Sequence, residues 1–212
     1  RSGGDEKGRL VLEKLDRTDS QVNGSFVIAP YTMTRINLRQ GFRSEDGAHN
    51  GNIGLDWSQI EQRNYIGNDT VSAVYGDYSL SLENQTLQMV GRYSQTDRDI
   101  NGENSRLINY FASHNYRFDD NLTVTSNAMY NDNRLVYLLN EDFVRSAGSY
   151  MQLSSSASWR PEDEEIPLSV SGGLFFLDTS SSYNGPASSA QSLSGNLSAT
   201  YSYNSNLMLS AS

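Results

Sequence analysis

Apolar residues recur at every second position through long stretches of this chain, and the helical period of three to four is scarce. In residues 106–118, Ile108, Tyr110, Ala112, His114, Tyr116 and Phe118 share one face. The segment after it carries Leu122, Val124, Ser126, Ala128 and Tyr130, and the next carries Ala147, Ser149, Met151, Leu153, Ser155, Ala157 and Trp159. Leu168, Val170, Gly172, Leu174 and Phe176 follow, then Leu193, Gly195, Leu197, Ala199, Tyr201 and Tyr203. Earlier, Val74, Gly76, Tyr78, Leu80 and Leu82 alternate in the same way, as do Leu87, Met89, Gly91 and Tyr93. The opposite face is mostly hydrophilic: Ser192, Ser194, Asn196, Ser198, Thr200 and Ser202 in one segment, Thr123, Thr125, Asn127, Met129 and Asn131 in another. Period-2 alternation predicts strands with one apolar and one wet face.

A one-sided sheet in a soluble sandwich shows the same alternation, so length and connections must discriminate. Strands of soluble sheets average about 5–6 residues, whereas a tilted bilayer-spanning strand needs about 9–11. The alternating runs here are of the longer kind. Their links also alternate in character. Asn84-Gln85, Asp119-Asp120-Asn121 and Asn204-Ser205-Asn206 are tight turns, and 160–166 is a short charged one; between them lie longer polar stretches, 97–105, 132–146 and 179–188. Short turns on one side and longer loops on the other describe a transmembrane barrel. The sequence therefore predicts an all-β fold, a segment of an antiparallel up-and-down transmembrane β-barrel built of long amphipathic hairpins, with about 10–11 strands. Its lipid-facing residues would include Leu122, Val124, Met151, Leu153, Leu168, Val170, Leu174, Leu193 and Leu197, and Ser194, Asn196 and Ser198 would face the lumen. Aromatics gather at strand ends, where interfacial girdles place them: Tyr93, Tyr116, Phe118, Tyr130, Trp159, Phe176, Tyr201 and Tyr203.

The whole chain, 1–212, reads as a single barrel region, regular over 70–212 and less regular over 1–69. Residues 31–43 and 52–65 pair across 44–51, which leaves 66–69 as a short link on the side expected to carry long loops. Residues 9–16 form a weak strand candidate with charges on it, and Pro30 suits a strand start or a bulge, having no amide hydrogen for a ladder.

Composition narrows the alternatives. Only 36% of the 212 residues are hydrophobic, and no segment approaches the ~20 consecutive apolar residues of a membrane helix. The 13 Tyr, 7 Phe and 2 Trp recur too regularly for a disordered chain. Cysteine is absent, which removes disulfides, thiolate nucleophiles and cysteine metal sites. A net charge of −9 argues against phosphate-neutralising contact with nucleic acid. The chain starts without Met and ends within an alternating run, so truncation at both ends is expected.

Candidate chemistry is sparse. Asp97, Asp99, Asn101 and Gly102 match the first half of a calcium loop, but Ile108 stands where the bidentate Glu belongs, and an acidic turn is the plainer reading. His114 lies on the apolar face with no acid beside it, and His49 sits in a Gly- and Asn-rich link, where solvation is expected; neither builds a hydrolase site. No nucleophile elbow or phosphate loop is present, so neither catalysis nor a cofactor is expected. Arg35, Arg39 and Arg43 project from one face of one strand. With Asp77, Glu83, Arg92 and Arg117 they would line a lumen and either tune ion selectivity or neutralise one another. The acidic run 162–165 reads as a solvated turn.

The turns around Tyr116-Arg117-Phe118-Asp119-Asp120-Asn121-Leu122 and Tyr201-Ser202-Tyr203-Asn204-Ser205-Asn206-Leu207 resemble the periplasmic hairpin turns of Gram-negative, porin-like outer-membrane β-barrels. The resemblance covers 70–212 and is architectural. It implies residence in the outer membrane, contact with its lipid, insertion by the barrel-assembly machinery, and a role as pore or structural wall. Small polar solutes or an envelope protein are the partners it implies. Intact barrels of this class end on an aromatic residue, whereas this chain ends Leu209-Ser210-Ala211-Ser212. The alternative function is a soluble or secreted all-β sandwich used in binding or adhesion.

Overall fold

A computed structural model describes residues 8–17, 21–23, 26–28, 31–62, 67–99, 102–161, 167–204 and 207–211. The strands are β1 (Gly8–Arg17), β2 (Gln21–Asn23), β3 (Phe26–Ile28), β4 (Tyr31–Arg43), β5 (His49–Gln62), β6 (Asn68–Ser81), β7 (Gln85–Arg98), β8 (Glu103–Arg117), β9 (Leu122–Leu139), β10 (Asp142–Trp159), β11 (Leu168–Tyr183), β12 (Ser188–Asn204) and β13 (Leu207–Ala211). Eleven of them form one sheet in the order β1-β4-β5-β6-β7-β8-β9-β10-β11-β12-β13, while β2 and β3 pair separately. Every pairing is antiparallel. The all-β, up-and-down architecture expected from the alternation is therefore present, and β1 is a strand despite its charges.

Directly opposed residues of an antiparallel pair point to the same side, so the registers assign a face to every residue. One face carries Leu38, Leu55, Val74, Met89, Ala112, Val124, Leu153, Leu174 and Leu197; the other carries Arg35, Asp56, Asp77, Arg92, Asn127, Ser154 and Asn196. No strand from β4 to β11 slips in register against its neighbours, so one apolar face runs unbroken across the sheet. Among the described residues this face has no second layer against it. Only Ala73 and Val144 are buried apolar side chains, whereas Leu174, Leu193 and Leu197 are 65%, 74% and 68% exposed. A sandwich would have covered them.

The register also fixes the tilt. Phe42, Gly51, Tyr78, Met89, Ala112, Ala128, Leu153, Phe176 and Leu193 are successive partners along one hydrogen-bonding row. Phe42 lies next to the end of β4, but Leu193 lies deep inside β12. The row thus climbs about ten residues over about eight strand-to-strand steps, which corresponds to a tilt of roughly 40° at ~3.3 Å per residue and ~4.8 Å per strand. Membrane barrels tilt by about 35–45°. The apolar windows follow the tilted strand ends rather than the rows: Tyr116 back to Ile108 in β8, Leu122 to Tyr130 in β9, Trp159 back to Met151 in β10, Leu168 to Phe176 in β11. Each window is ~27 Å long and, once tilted, spans roughly 20–25 Å, the height of a lipid-facing band.

The short-turn side is built as expected. In the β8–β9 turn the Asp119 carboxylate accepts the backbone N–H groups of Asn121 (2.8 Å) and Leu122 (2.7 Å). In the β4–β5 turn Asp46 accepts the Ser44 hydroxyl and the Ala48 N–H (3.0 Å), while Gly47 takes the positive φ of 72° that the reversal needs. The Ser44 hydroxyl, then the Ala48 amide, hold the Asp46 carboxyl below its ordinary pKa.

On the other side the expectation of long polar loops needs correction. Residues 132–146 are a continuation of the ladder: β9 runs to Leu139, β10 starts at Asp142, and the reversal takes only Asn140 and Glu141, with φ of 52° and 71°. Two positive φ values at the centre make a tight turn that matches strand twist. Leu135, Val136, Tyr137, Leu138 and Leu139 are good strand formers, but beyond the apolar window the alternation that announces a strand disappears. The stretches around 97–105 and 179–188 are likewise mostly strand. Pro30 and the run 162–165 lie outside the described residues.

Candidate functional site

With no enclosed core among the described residues, the functional surface is the sheet itself, and its two faces have distinct chemistry. On the polar face, Arg35 forms a fork-shaped pair with Asp56, Nε to Oδ1 at 3.1 Å and Nη2 to Oδ2 at 2.9 Å. Asn52 donates to both oxygens of Asp77, at 3.2 and 3.0 Å. Asn131 donates to Asn109, Tyr150 to Gln152, and Asn115 to Thr125 (3.2 Å); Ser171 and Ser198 share a hydrogen bond of 2.8 Å. Arg39, Arg43, Arg92, Arg117, Ser194, Asn196 and Ser198 point to this same side. Arg117 reaches Asp120 at 3.9 Å, and Glu83 lies in the turn beyond β6 rather than on the face. Arg35, Arg39, Arg43, Arg92 and Arg117 share one side of the sheet with Asp56, the carboxylate that holds Arg35, which sequence reasoning missed. The signal was available: Asp56 has the parity of Asn52 and Ser58 in a strand whose alternate residues are Ile53, Leu55 and Trp57.

The apolar face carries all nine leucine, valine and methionine residues expected to meet lipid: Leu122, Val124, Met151, Leu153, Leu168, Val170, Leu174, Leu193 and Leu197. Its margins are aromatic. Toward the short turns stand Phe42 stacked with Tyr78 (ring centroids 6.3 Å), Tyr116 edge-on to Phe118 (4.5 Å), Trp159 and Tyr201. Toward the long hairpins stand Trp57, Tyr93, Tyr110, Tyr130 and Phe176. Tyr203 belongs to β12, with its side chain outside the described residues. Phe42, Trp57, Tyr78 and Tyr110 extend the sequence-derived girdle; Phe42 and Trp57 fall in the less regular first third, and Tyr78 and Tyr110 sit within alternating runs.

The histidines are placed on this face too. His114 Nε2 lies 3.3 Å from Gln85 Oε1 and its ring tilts against Tyr116; its register partners are Leu87 and Ser126. His49 is the first residue of β5 rather than part of a link, exposed, with Nδ1 2.8 Å from the Tyr78 hydroxyl. In the β7–β8 hairpin, Asp97 accepts from Gln95 (3.1 Å) and Asn104, and Asp99 accepts the Asn68 N–H (2.9 Å). Asn101 lies outside the described residues. No three carboxylates or histidines converge on a metal position among the described residues.

One polar cluster interrupts the pattern. Just past the long-hairpin margin, on the apolar side, Asp132 is buried between Arg106 (Nη2 to Oδ1, 3.3 Å) and Arg134 (Nε to Oδ1, 3.2 Å; Nη2 to Oδ2, 3.3 Å), and Tyr130 donates to it at 3.4 Å. Strand parity alone would have found it, had β8 and β9 been extended past their apolar windows.

No family model matches the sequence, and no curated protein matches it. Among solved structures, the siderophore receptor PirA from Pseudomonas aeruginosa superposes with a TM-score of 0.59 at 13% identity, over 99% of this chain and 37% of the receptor. The ferric yersiniabactin uptake receptor FyuA from Yersinia pestis matches with a TM-score of 0.44 at 10% identity, over 93% of this chain and 40% of that one, a likeness too distant to argue from. The chain spans little more than a third of the PirA receptor. At this identity the likeness shows the fold: the described sheet has the architecture of a section of an outer-membrane receptor barrel.

Proposed function

We propose that this chain is a wall section of an outer-membrane β-barrel that separates lipid from a polar passage and performs no catalysis. The observation that carries this is the unbroken apolar face, tilted by roughly 40° and bounded by aromatics at both margins. In hydrocarbon every backbone N–H and C=O must be paired, and the ladders from β4 to β12 do that between strands. The outward band meets lipid in the outer membrane, and the barrel-assembly machinery is the partner that such a sheet requires for insertion. The inward face, rich in Ser, Asn and paired charges, suits water and small polar solutes. PirA is a siderophore receptor, and a small solute of that kind suits this lining; an envelope protein bound inside the wall is the other partner it accommodates. The histidine surroundings support the non-catalytic assignment: His114 meets Gln85 and Tyr116, and His49 meets the Tyr78 hydroxyl.

Both tryptophans, Trp57 and Trp159, lie on the apolar face, one near each margin. In phosphatidylcholine vesicles, a variant retaining only Trp159 should be quenched strongly by brominated acyl chains and weakly by aqueous iodide. The reverse ranking would contradict a lipid-facing band.

A further inference from the structure

Every arginine or lysine that the described strands β4 to β12 turn toward the apolar side lies on three consecutive strands: Arg106 on β8, Arg134 on β9 and Arg145 on β10. All the other strand cations in that span face the polar side. Arg106 and Arg134 are directly opposed across the ladder, an arrangement of like charges that ordinarily destabilises a pair of strands. Asp132 holds both guanidinium groups and neutralises one. Asp97, on the neighbouring strand, has its oxygens occupied by Gln95 and Asn104. Arg106 Nε is buried without a hydrogen-bond partner, Arg134 remains 58% exposed, and the three arginines keep a surplus of positive charge. Their height is telling. Arg106 lies four residues beyond Tyr110 and Arg134 four beyond Tyr130, so both sit ~13 Å along the strand past the aromatic margin, in the headgroup layer on the long-hairpin side.

We propose that Arg106, Arg134 and Arg145 form an outward-facing site for the phosphate of an anionic lipid headgroup in the outer leaflet. Guanidinium groups bind phosphate oxygens through paired N–H donors, and Asp132 acts as the internal strut that presents two of them side by side. The occupant is a lipid rather than a free anion because the site adjoins an exposed apolar band that receives acyl chains. This inference rests on the lipid-facing assignment above.

The test is a titration of the intact protein in dodecylmaltoside with dioctanoyl phosphatidic acid, followed by native mass spectrometry. Wild-type protein should retain the lipid and should not retain dioctanoylglycerol, which lacks the phosphate. Arg145→Gln, whose exposed side chain can be removed with little risk to folding, should weaken retention about fivefold. The triple variant R106Q/D132N/R134Q, which keeps hydrogen-bonding amides in place of the charges, should weaken it about twentyfold. Arg39→Gln, with the same net charge change on the polar face, should leave it unaltered. Unchanged retention in Arg145→Gln and the triple variant, or equal weakening by Arg39→Gln, would overturn the site. Displacement by equimolar inorganic phosphate would overturn its assignment to lipid. Trp159 quenching by brominated lipid is unaffected by these outcomes, so failure of the headgroup site and failure of the wall assignment are distinguishable.

Discussion

Leu197→Arg should destabilise the folded protein in lipid vesicles by about 2–4 kcal/mol, while Asn196→Arg should cost well under 1 kcal/mol. Leu197 is central in the outward window of β12, with Leu193 and Gly195 above it and Ala199 and Tyr201 below, and it is 68% exposed with no protein layer over it. An arginine there must either enter hydrocarbon or snorkel to a headgroup. Asn196 is adjacent in sequence but opposite in face, and its register partner is Gly173, which leaves room for a longer side chain beside water. Urea titration of vesicle-folded protein measures both. A similar loss at the two positions would mean that both faces are packed, as in a sandwich.

The second large effect is at Gly51. This glycine is the register partner of Phe42 on one side and Tyr78 on the other, and the two rings close over it. A Cβ at Gly51 would collide with Phe42 Cζ and stand 2.7 Å from the backbone oxygen of Asp77. The ring can swing away, but the backbone cannot. Gly51→Ala should therefore destabilise by about 1–3 kcal/mol and disperse the aromatic cluster that includes His49. Gly91 is the control, for a Cβ there meets only Tyr110 Cδ2 at 3.9 Å. Gly91→Ala should be neutral or stabilising by up to ~1 kcal/mol, because alanine restricts the unfolded chain. Equal effects at the two glycines in denaturant unfolding would refute the covered-glycine geometry.

How much of this was legible in the sequence depended on whether a segment lies within the apolar window. Where it does, as at 108–116, 122–130 and 193–201, strict alternation revealed strand, face and register together, because a one-residue slip would turn every apolar residue to the wrong side. Past the window the alternation vanishes, and the β9–β10 ladder from Asp132 to Ser146 looked like loop. The local signals left there were a run of β-formers, 135–139, and the Asn140-Glu141 pair. The first third was harder for a different reason. Val11, Leu15, Met33, Ile60 and Val71 place apolar side chains on the polar face, which blurs the binary pattern, although the pairing of 31–43 with the following strand was still correct. The Arg106–Asp132–Arg134 cluster combined both difficulties, being charged residues on the apolar parity in a stretch that lacked a strand signal.

On the proposed wall assignment, the two faces of one strand meet different solvents. Nitroxide labels placed singly from 193 to 199 on β12, with the protein in phosphatidylcholine vesicles, measure this directly through collision with oxygen and with a water-soluble nickel chelate. Labels at 193, 195, 197 and 199 should collide mainly with oxygen, which concentrates in lipid, and labels at 194, 196 and 198 mainly with the chelate, giving a period of two across the strand. Uniform access of the chelate to all seven positions would contradict a membrane-spanning wall.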